Sequence, residues 1–392
     1  MIQNRRLLWF CLGVVLHFLG STIVGPVVPL LSQQLGATPG VLGILMGVAN
    51  TGALLAAVPS GMIIRRFGTR LPVIISCAVV AVCYFLIFLF PRLAVLFVML
   101  TVATMARTMF IVSTQTYVGG LRSTSMVSSN FGWLGTATAV AQVIGPLGIG
   151  YLVDTFGVIP TVLVMASTTL LSAGYFVALL RNDEASPTNS TGIEERSSLR
   201  DSMSLILSKP ILLAVISSSI IIVVITSRRS FYPLLLVEMG FSATIIGLMM
   251  SIRGLTSLAI RVLLSVSPKM QKYRFRTMVV CLFVVSVGLG STFLCRNLPL
   301  LVLNSILVGV SFGLGIPLSQ TIAFSAALPD QRGLVLGVRV MVNRLAEVVS
   351  PLMCGVVAEL MGIPATFWVG GLVLAAGSLW ALLLARKMWA EE

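Results

Sequence analysis

Charge is scarce in this sequence, and acidic charge most of all. Asp, Glu, Lys and Arg make up 10% of the 392 residues, whereas an average soluble domain carries about 25%. There are 12 acidic residues and a single histidine. Hydrophobic residues make up 57% of the chain and its mean hydropathy is +1.05, so it cannot cover a water-exposed surface. A soluble enzyme is therefore excluded, and a protein embedded in a lipid bilayer is expected.

Several short motifs are also missing. The six cysteines show no CxxC or His/Cys ligand spacing, so we expect no disulfide framework, no metal site and no cofactor. No phosphate-binding loop of the Walker A type occurs, which excludes an ATP-driven pump built from this chain alone. The net charge of +14 comes from Lys and Arg scattered between apolar runs, so no nucleic acid partner is expected.

Long apolar runs, by contrast, are abundant. Runs of about 20 residues are long enough to cross a bilayer as helices. The twelve that we predict as transmembrane helices are 7–31, 41–63, 71–90, 93–118, 128–152, 158–180, 210–236, 242–265, 277–295, 299–327, 336–360 and 364–385. One polar segment, rich in Ser, Pro and charge, follows the sixth run and cannot bury a core. The sequence therefore predicts an all-α membrane protein with six-helix bundles at 1–180 and 210–392 and a cytoplasmic linker at 181–209.

The loops between the runs differ in basic charge. With both termini in the cytoplasm, the inner segments hold seventeen Lys and Arg, whereas the outer loops hold only Arg92 and Arg296. Positive residues accumulate on the cytoplasmic side of membrane proteins. We therefore predict both termini inside and expect a bacterial inner (plasma) membrane location.

An internal repeat relates the two halves. Gly43 recurs as Gly247, at an offset of 204 residues. Five further positions recur at an offset of 205: Gln115, Pro146, Gly150, Asp154 and Gly157 with Gln320, Pro351, Gly355, Glu359 and Gly362. Parallel repeats with a substrate site between them suit a secondary transporter, because similar halves can exchange inward and outward faces at similar energy.

The loop after the second run carries a recognisable motif. It reads GMIIRRFGTR, in which Gly61, Arg66, Gly68 and Arg70 match the loop pattern of the major facilitator superfamily. Arg65 stands where that family usually has Asp. The chain resembles this family over essentially its whole length. The resemblance implies two six-helix bundles around a central cavity, and we expect a monomer that binds a small-molecule substrate.

A second motif lies in the fifth run. Gly132 and Gly135 are followed by GPLGIG, containing Gly145, Pro146 and Gly150, which resembles the Gly-Pro motif of antiporters in the family. Small residues let helices approach closely, and proline bends a span. The resemblance implies export; ordinary glycine packing in a membrane helix is the alternative.

Ionisable side chains within the runs are costly and usually face a cavity or a partner. They are His17, Arg107, Arg228, Arg229, Arg253, Arg261, Arg339, Arg344 and Glu347, and Glu359 lies at the outer end of the eleventh run. None lies in runs 3, 6, 9 or 12, the peripheral helices of the resembled fold. We expect Arg261 and Arg339, which are near cytoplasmic ends, to extend their charged groups to the interface.

Basic groups dominate this set. Arg344 and Glu347 are three residues apart and can neutralise each other. Arg107, Arg228, Arg229 and Arg253 add further positive charge at membrane depth, where a guanidinium fits carboxylate or phosphate in two-point geometry. These residues predict an anionic substrate; pairing of the arginines with helix carbonyls and water is the alternative.

Polar amides on cavity-side runs complete the predicted substrate site. They are Gln115, Gln142 and Gln320, which either orient a ligand or only join helices. We predict that Arg344 also contacts substrate.

Proton coupling needs a group that changes its protonation between the two faces. Glu347 is the first candidate, because burial favours the neutral acid while Arg344 favours the carboxylate. His17 is the second. The alternatives are a permanently ionised structural pair for Glu347 and a polar helix contact for His17.

These inferences predict a proton-coupled exporter of a small organic anion, such as a carboxylate metallophore (siderophore) or an amphiphilic drug. Two alternatives use the same arginines: an importer of organic anions and a flippase for lipid head groups. Transport rather than catalysis is expected in each case.

Overall fold

A computed structural model describes residues 2–22, 24–121, 127–181, 208–267, 272–327 and 331–386. Within these ranges the chain is almost wholly α-helical and contains no strand, which confirms the predicted all-helical fold class. In hydrocarbon the backbone has no water to bond, and a helix satisfies its N–H and C=O groups internally. The helices are α1 (Ile2–Thr22), α2 (Val24–Gln34), α3 (Pro39–Phe67), α4 (Arg70–Leu89), α5 (Leu93–Gly120), α6 (Val127–Phe156), α7 (Val158–Leu179), α8 (Lys209–Glu238), α9 (Ala243–Val266), α10 (Arg274–Gly290), α11 (Leu298–Ala326), α12 (Arg332–Met361) and α13 (Ile363–Arg386).

Eleven segments of the described chain are long and apolar enough to cross a membrane, with α1 and α2 forming the first of them together. The ninth predicted span, 277–295, takes a different form. Its α-helix, α10, has only 17 residues and is followed by a 3-10 turn at Thr292–Leu294. At ~1.5 Å per α-helical residue and ~2.0 Å per 3-10 residue, the two pieces rise about 32 Å, close to the ~30 Å hydrocarbon core.

The described residues form two compact units. Unit 1 gathers those of Met1–Thr38, Leu45–Gly192 and Gly240–Ser251. In it α4 packs on α5 and α7, and α1 packs on α6 and α7. Its core includes an aromatic cluster in which Phe176 contacts both Phe10 and Phe110, with ring centroids 5.4 and 5.8 Å apart.

Unit 2 gathers the described residues of Pro39–Ile44, Ile193–Met239 and Ile252–Glu392. Helix α8 is its centre and packs on α11, α12 and α13, while α10 packs on α11 and α13. Small side chains bring these helices close, as where Ser286 and Ser378 share a hydrogen bond of 3.0 Å. Nearly all of the linker predicted at 181–209 lies outside the described residues.

Candidate functional site

Arg228 on α8 is buried within unit 2 and is 5% exposed. Its Nη1 donates hydrogen bonds to Asn304 Oδ1 at 2.6 Å and Thr292 Oγ1 at 3.1 Å. Its guanidinium carbon lies 4.1 Å from the ring centroid of Tyr232, one helical turn further along α8. These partners are neutral, so none of them offsets the positive charge of the guanidinium.

Asn304 and Thr292 belong to a wider polar junction. Both bond the carbonyl of Gly288, through Asn304 Nδ2 at 2.6 Å and Thr292 Oγ1 at 2.8 Å. The junction therefore connects α8, the end of α10 and α11. Sequence reasoning identified Arg228 but missed Tyr232, Thr292 and Asn304. An asparagine within an apolar run was the one signal that could have found Asn304.

Arg253 on α9 lies within unit 2 and in electrostatic range of Arg228 and Arg229. Its guanidinium carbon is 5.1 Å from the ring centroid of Phe312 on α11. The structure thus brings three of the predicted anion-binding arginines into one region, and the partners it gives Arg228 and Arg253 are neutral groups and aromatic faces.

Arg344 and Glu347 on α12 form an ion pair, with Nη1 and Oε2 separated by 2.7 Å. Their side chains are 31% and 25% exposed. Next to them, the neutral Asn343 accepts a hydrogen bond of 2.9 Å from Ser218 on α8. The carboxylate that we predicted for coupling therefore stands beside a cation and is not sealed inside the helix bundle.

Arg339 departs from expectation. Its side chain is 3% exposed, and its Nη2 donates to Ser319 Oγ on α11 at 2.6 Å. The prediction that this side chain extends to the interface is wrong, because α11 supplies a hydroxyl acceptor within its reach. Arg261 is exposed on α9, and the extension of its charged group to the interface stays a prediction.

His17 lies in the aromatic cluster of unit 1 and is fully buried. Its ring stacks on Phe110 with centroids 3.7 Å apart, and its Nδ1 lies 3.3 Å from Cys77 Sγ. Its Nε2 has no hydrogen-bond partner in the part of the chain that the structure describes. Arg107 lies close by, with its guanidinium carbon 5.8 Å from the ring centroid of Phe18.

The three glutamines predicted to contact substrate are all exposed. They are Gln115 on α5, Gln142 on α6 and Gln320 on α11. Gln115 lines a cavity of about 170 Å³ in unit 1. A second cavity, of about 450 Å³, lies in unit 2 among α8, α12 and α13. It is lined mainly by aliphatic side chains such as Val349 and Met353 and by none of the predicted charged residues.

The Gly-Pro motif of α6 makes a close helix crossing in unit 1. A Cβ at Gly150 would overlap the carbonyl of Ala243, and one at Gly247 would overlap the carbonyl of Pro146. Asp154, one turn further along α6, accepts hydrogen bonds from the Ala243 and Thr244 backbone N–H groups at 2.9 and 2.7 Å. It therefore caps the start of α9, where the helix dipole favours negative charge.

Unit 2 contains the same arrangement built from the repeated residues. A Cβ at Gly43 would lie 2.6 Å from the Pro351 carbonyl oxygen and 2.7 Å from Gly355 Cα. Glu359, the repeat partner of Asp154, accepts a hydrogen bond of 2.8 Å from the Gly40 N–H. The repeat read from the sequence thus corresponds to two equivalent helix crossings.

The loop motif forms the turn between α3 and α4. Gly68 has φ +71°, a conformation that side-chain-bearing residues rarely adopt. Arg66 lies over the ring of Phe67, and Arg70 Nη1 donates to the Arg181 carbonyl at 3.1 Å. Gly61 has open space where a Cβ would be.

No three His, Cys, Asp or Glu side chains within the described ranges come together as a metal-ligand set. The site therefore consists of guanidinium groups, one ion pair, amides, hydroxyls and aromatic rings. Such groups bind and orient a ligand, and the positive ones favour an anion.

A sequence profile of the Major Facilitator Superfamily matches residues 10–266 and, in a second match, residues 220–390. No curated protein matches the chain. Among solved structures, the nucleoside transporter NupG is similar at TM-score 0.75 and 14% identity, covering 98% of this chain and 98% of that chain.

Two further structures are similar over nearly their full lengths. A bacterial homolog of the human lysosomal transporter Spinster, inward-facing and unoccupied, has TM-score 0.75 and 11% identity, with 99% of this chain and 96% of that chain covered. A POT family transporter in complex with 5-aminolevulinic acid has TM-score 0.79 and 14% identity, with 98% and 96% covered. At these identities the likeness is one of fold.

Proposed function

This chain belongs to the Major Facilitator Superfamily and is a membrane transporter of that type, and from this premise we propose that it exports a small organic anion in exchange for protons. The basic charge of the loops assigned to the inner side supports the predicted orientation in a bacterial inner membrane. The Gly-Pro motif of α6, which resembles that of antiporters, supports the direction.

One observation supports a negatively charged substrate. Arg228 and Arg253 lie in unit 2 at membrane depth, close to Arg229, and have neutral or aromatic partners. Like charges in a medium of low dielectric repel, so this cluster is stabilised when an anion is present. A carboxylate suits it best, since a planar guanidinium can bind both oxygens at once. Arg107 in unit 1 and the amides of Gln142 and Gln320 are the further groups that we assign to substrate contact.

Proton coupling is assigned to Glu347. As a carboxylate it pairs with Arg344, and its partial exposure gives water access to the proton. An anionic substrate that binds Arg344 competes with Glu347 for the same cation, which favours protonation of the acid. Substrate and proton would then occupy this site in a linked manner, as exchange requires. His17 is the second choice, because it is enclosed by Phe110 and Cys77.

The experiment is counterflow into proteoliposomes with panels of organic anions and cations, for the parent and for two Arg253 variants. Arg253→Lys keeps the charge and loses the planar fork, so anion counterflow should fall. Arg253→Gln loses both and should fall further. Arg261→Gln, on the same helix but exposed, is the matched control and should match the parent.

Two results would contradict the proposal. The anion site is wrong if cations are the preferred substrates or if both Arg253 variants transport anions as the parent does. Accumulation of the anion against its gradient only in the inward direction would replace export by the importer alternative.

A further inference from the structure

The cavity of about 170 Å³ in unit 1 lies where α1, α5 and α6 meet. Its walls include Phe18, Gln115 and Phe131. An engineered protein cavity of about 150 Å³ is large enough to hold benzene, whereas drug-sized ligands occupy roughly 300–1,000 Å³. The volume therefore suits one six-membered ring with a small substituent.

Two of the walls are aromatic. Phe18 is 6% exposed and is held by edge contacts to Phe110 and His17, each with ring centroids 6.0 Å apart. Phe131 is 41% exposed, so its ring can adjust to a ligand. Aromatic rings attract a second ring beyond area burial when the two meet edge-on or offset, because the edge of one ring is positive and the face of the other is negative. This pair of walls favours a planar aromatic ligand over an aliphatic one.

The two hydroxyl groups of the cavity are available to a ligand only as hydrogen-bond acceptors, because their own protons are already donated to backbone carbonyls. Thr114 donates its proton to the Ile111 carbonyl at 3.0 Å, and Thr138 donates to the Gly135 carbonyl at 2.8 Å. Both hydroxyl oxygens keep acceptor lone pairs. A ligand that uses them must carry an O–H or N–H group.

Gln115 adds an adaptable polar group to the same cavity. Its carboxamide is exposed and makes no hydrogen bond to another described residue, so it can both donate and accept. Arg107 places positive charge beside the Phe18 wall, and the cavity is lined by no acidic side chain among the described residues. The surroundings are therefore compatible with an anionic ligand.

We infer that this cavity binds the ring of an aromatic carboxylic acid that carries a hydroxyl or amino substituent. The inference rests on the proposed function, because the ring is taken to belong to the exported anion. It assigns recognition of the aromatic ring to the cavity of unit 1.

Two glycines of α6 allow a matched test. A Cβ added at either Gly135 or Gly132 meets nothing within 4 Å, so both positions have room for the first atom of a side chain, and the unfolding temperature checks that Gly135→Leu and Gly132→Leu keep the fold. Gly135 lines the cavity and Gly132 does not. The leucine side chain at 135 should fill the space meant for the ring, while that at 132 should leave it open.

The probes are radiolabelled 4-hydroxybenzoate and cyclohexanecarboxylate, bound to purified protein in lipid nanodiscs. For the parent and Gly132→Leu we expect about ten-fold tighter binding of 4-hydroxybenzoate, which corresponds to ~1.4 kcal/mol of ring and hydroxyl recognition. In Gly135→Leu this preference should disappear, with an unchanged unfolding temperature. Equal binding of the two acids by the parent would overturn the inference, as would the same preference in Gly135→Leu.

The failure of the inference and that of the proposed function give different results. Anion counterflow that depends on Arg253 but shows no aromatic preference leaves anion export standing and removes the ring site. Binding of neutral phenol that is lost only in Gly135→Leu, in a protein that transports no anion, supports the ring site and removes anion export.

Discussion

Arg228 is held inside unit 2 by an amide, a hydroxyl and an aromatic face. A buried cation of this kind depends on every acceptor it has, because a lost partner leaves a charged donor without compensation. The shortest of its hydrogen bonds, 2.6 Å to Asn304, is the one whose loss should matter most.

We predict that Asn304→Ala lowers the free energy of unfolding by about 1–3 kcal/mol, the usual cost of an unsatisfied buried group. Thermal unfolding of the purified protein in detergent measures the change. Asn297→Ala, at the exposed N-cap position of α11 where the side chain makes no cap hydrogen bond, is the control and should lower the unfolding temperature less than Asn304→Ala does. Equal unfolding temperatures for the two variants would contradict the structural role of Asn304.

Glu347 permits a second test at this scale. Glu347→Gln keeps the size of the side chain and removes its exchangeable proton, so accumulation driven by a pH gradient should be lost while counterflow persists. Glu238→Gln, at the exposed end of α8, should behave like the parent. Unchanged pH-driven accumulation in Glu347→Gln would transfer the coupling role to His17, and normal accumulation after replacement of both would exclude proton coupling.

Residues of the site differ in how far the sequence could reveal them. The contact of Arg344 with Glu347 follows from their spacing, because residues three apart share one face of a helix. The partners of Arg228 are distant in sequence and belong to other helices, so only the three-dimensional structure brings them together. The cavity beside Gln115 was likewise out of reach, since it depends on how α1, α5 and α6 meet.

At the scale of elements, the close crossing of α6 and the start of α9 depends on glycine. The carbonyl of Ala243 occupies the place that a Cβ at position 150 would need. Gly148, on the same helix, has open space instead. The two positions therefore separate the steric effect of a methyl group from its effect on helix propensity.

We predict that Gly150→Ala lowers both the unfolding temperature and the transport rate, because the two helices must move apart. Gly148→Ala should retain the parent rate, and its unfolding temperature should be equal or higher, since alanine favours the helix. The transport rate is measured in proteoliposomes and the unfolding temperature in detergent, for both variants. A Gly150→Ala protein as stable and active as Gly148→Ala would show that the crossing tolerates a methyl group.

The helices themselves were largely predictable. In a continuous apolar run that crosses the bilayer, the backbone N–H and C=O groups find hydrogen-bond partners within the same segment only if the run is helical. The confirmed fold class follows from that constraint. The exception, α10, ends after 17 residues and continues as a 3-10 turn. Its end is joined to α11 by the hydrogen bond from Asn304 to Gly288, a tertiary contact that hydropathy does not encode.

For the whole molecule, the charge of the loops predicts sidedness. Cysteine introduced at Ser190, within the predicted linker, should react with a membrane-impermeant maleimide only after the cells are opened. Cysteine introduced at Arg92, in a predicted outer loop, is the control and should react in intact cells. The native cysteines would first be replaced. Labelling of position 190 in intact cells would reverse the predicted orientation.

The arginine junction of unit 2 also has a consequence for how the chain is made. Thr292 and Asn304 follow Arg228 by 64 and 76 residues, so α8 leaves the ribosome well before the groups that bond its arginine. At ~5–20 residues per second the delay is roughly 3–15 s. During that interval each arginine of α8 costs about 2.5–3.5 kcal/mol in hydrocarbon. Arg228 therefore gains its amide and hydroxyl partners only after the end of α10 and α11 have been made, and until then the apolar residues of α8 must offset the cost of its arginines.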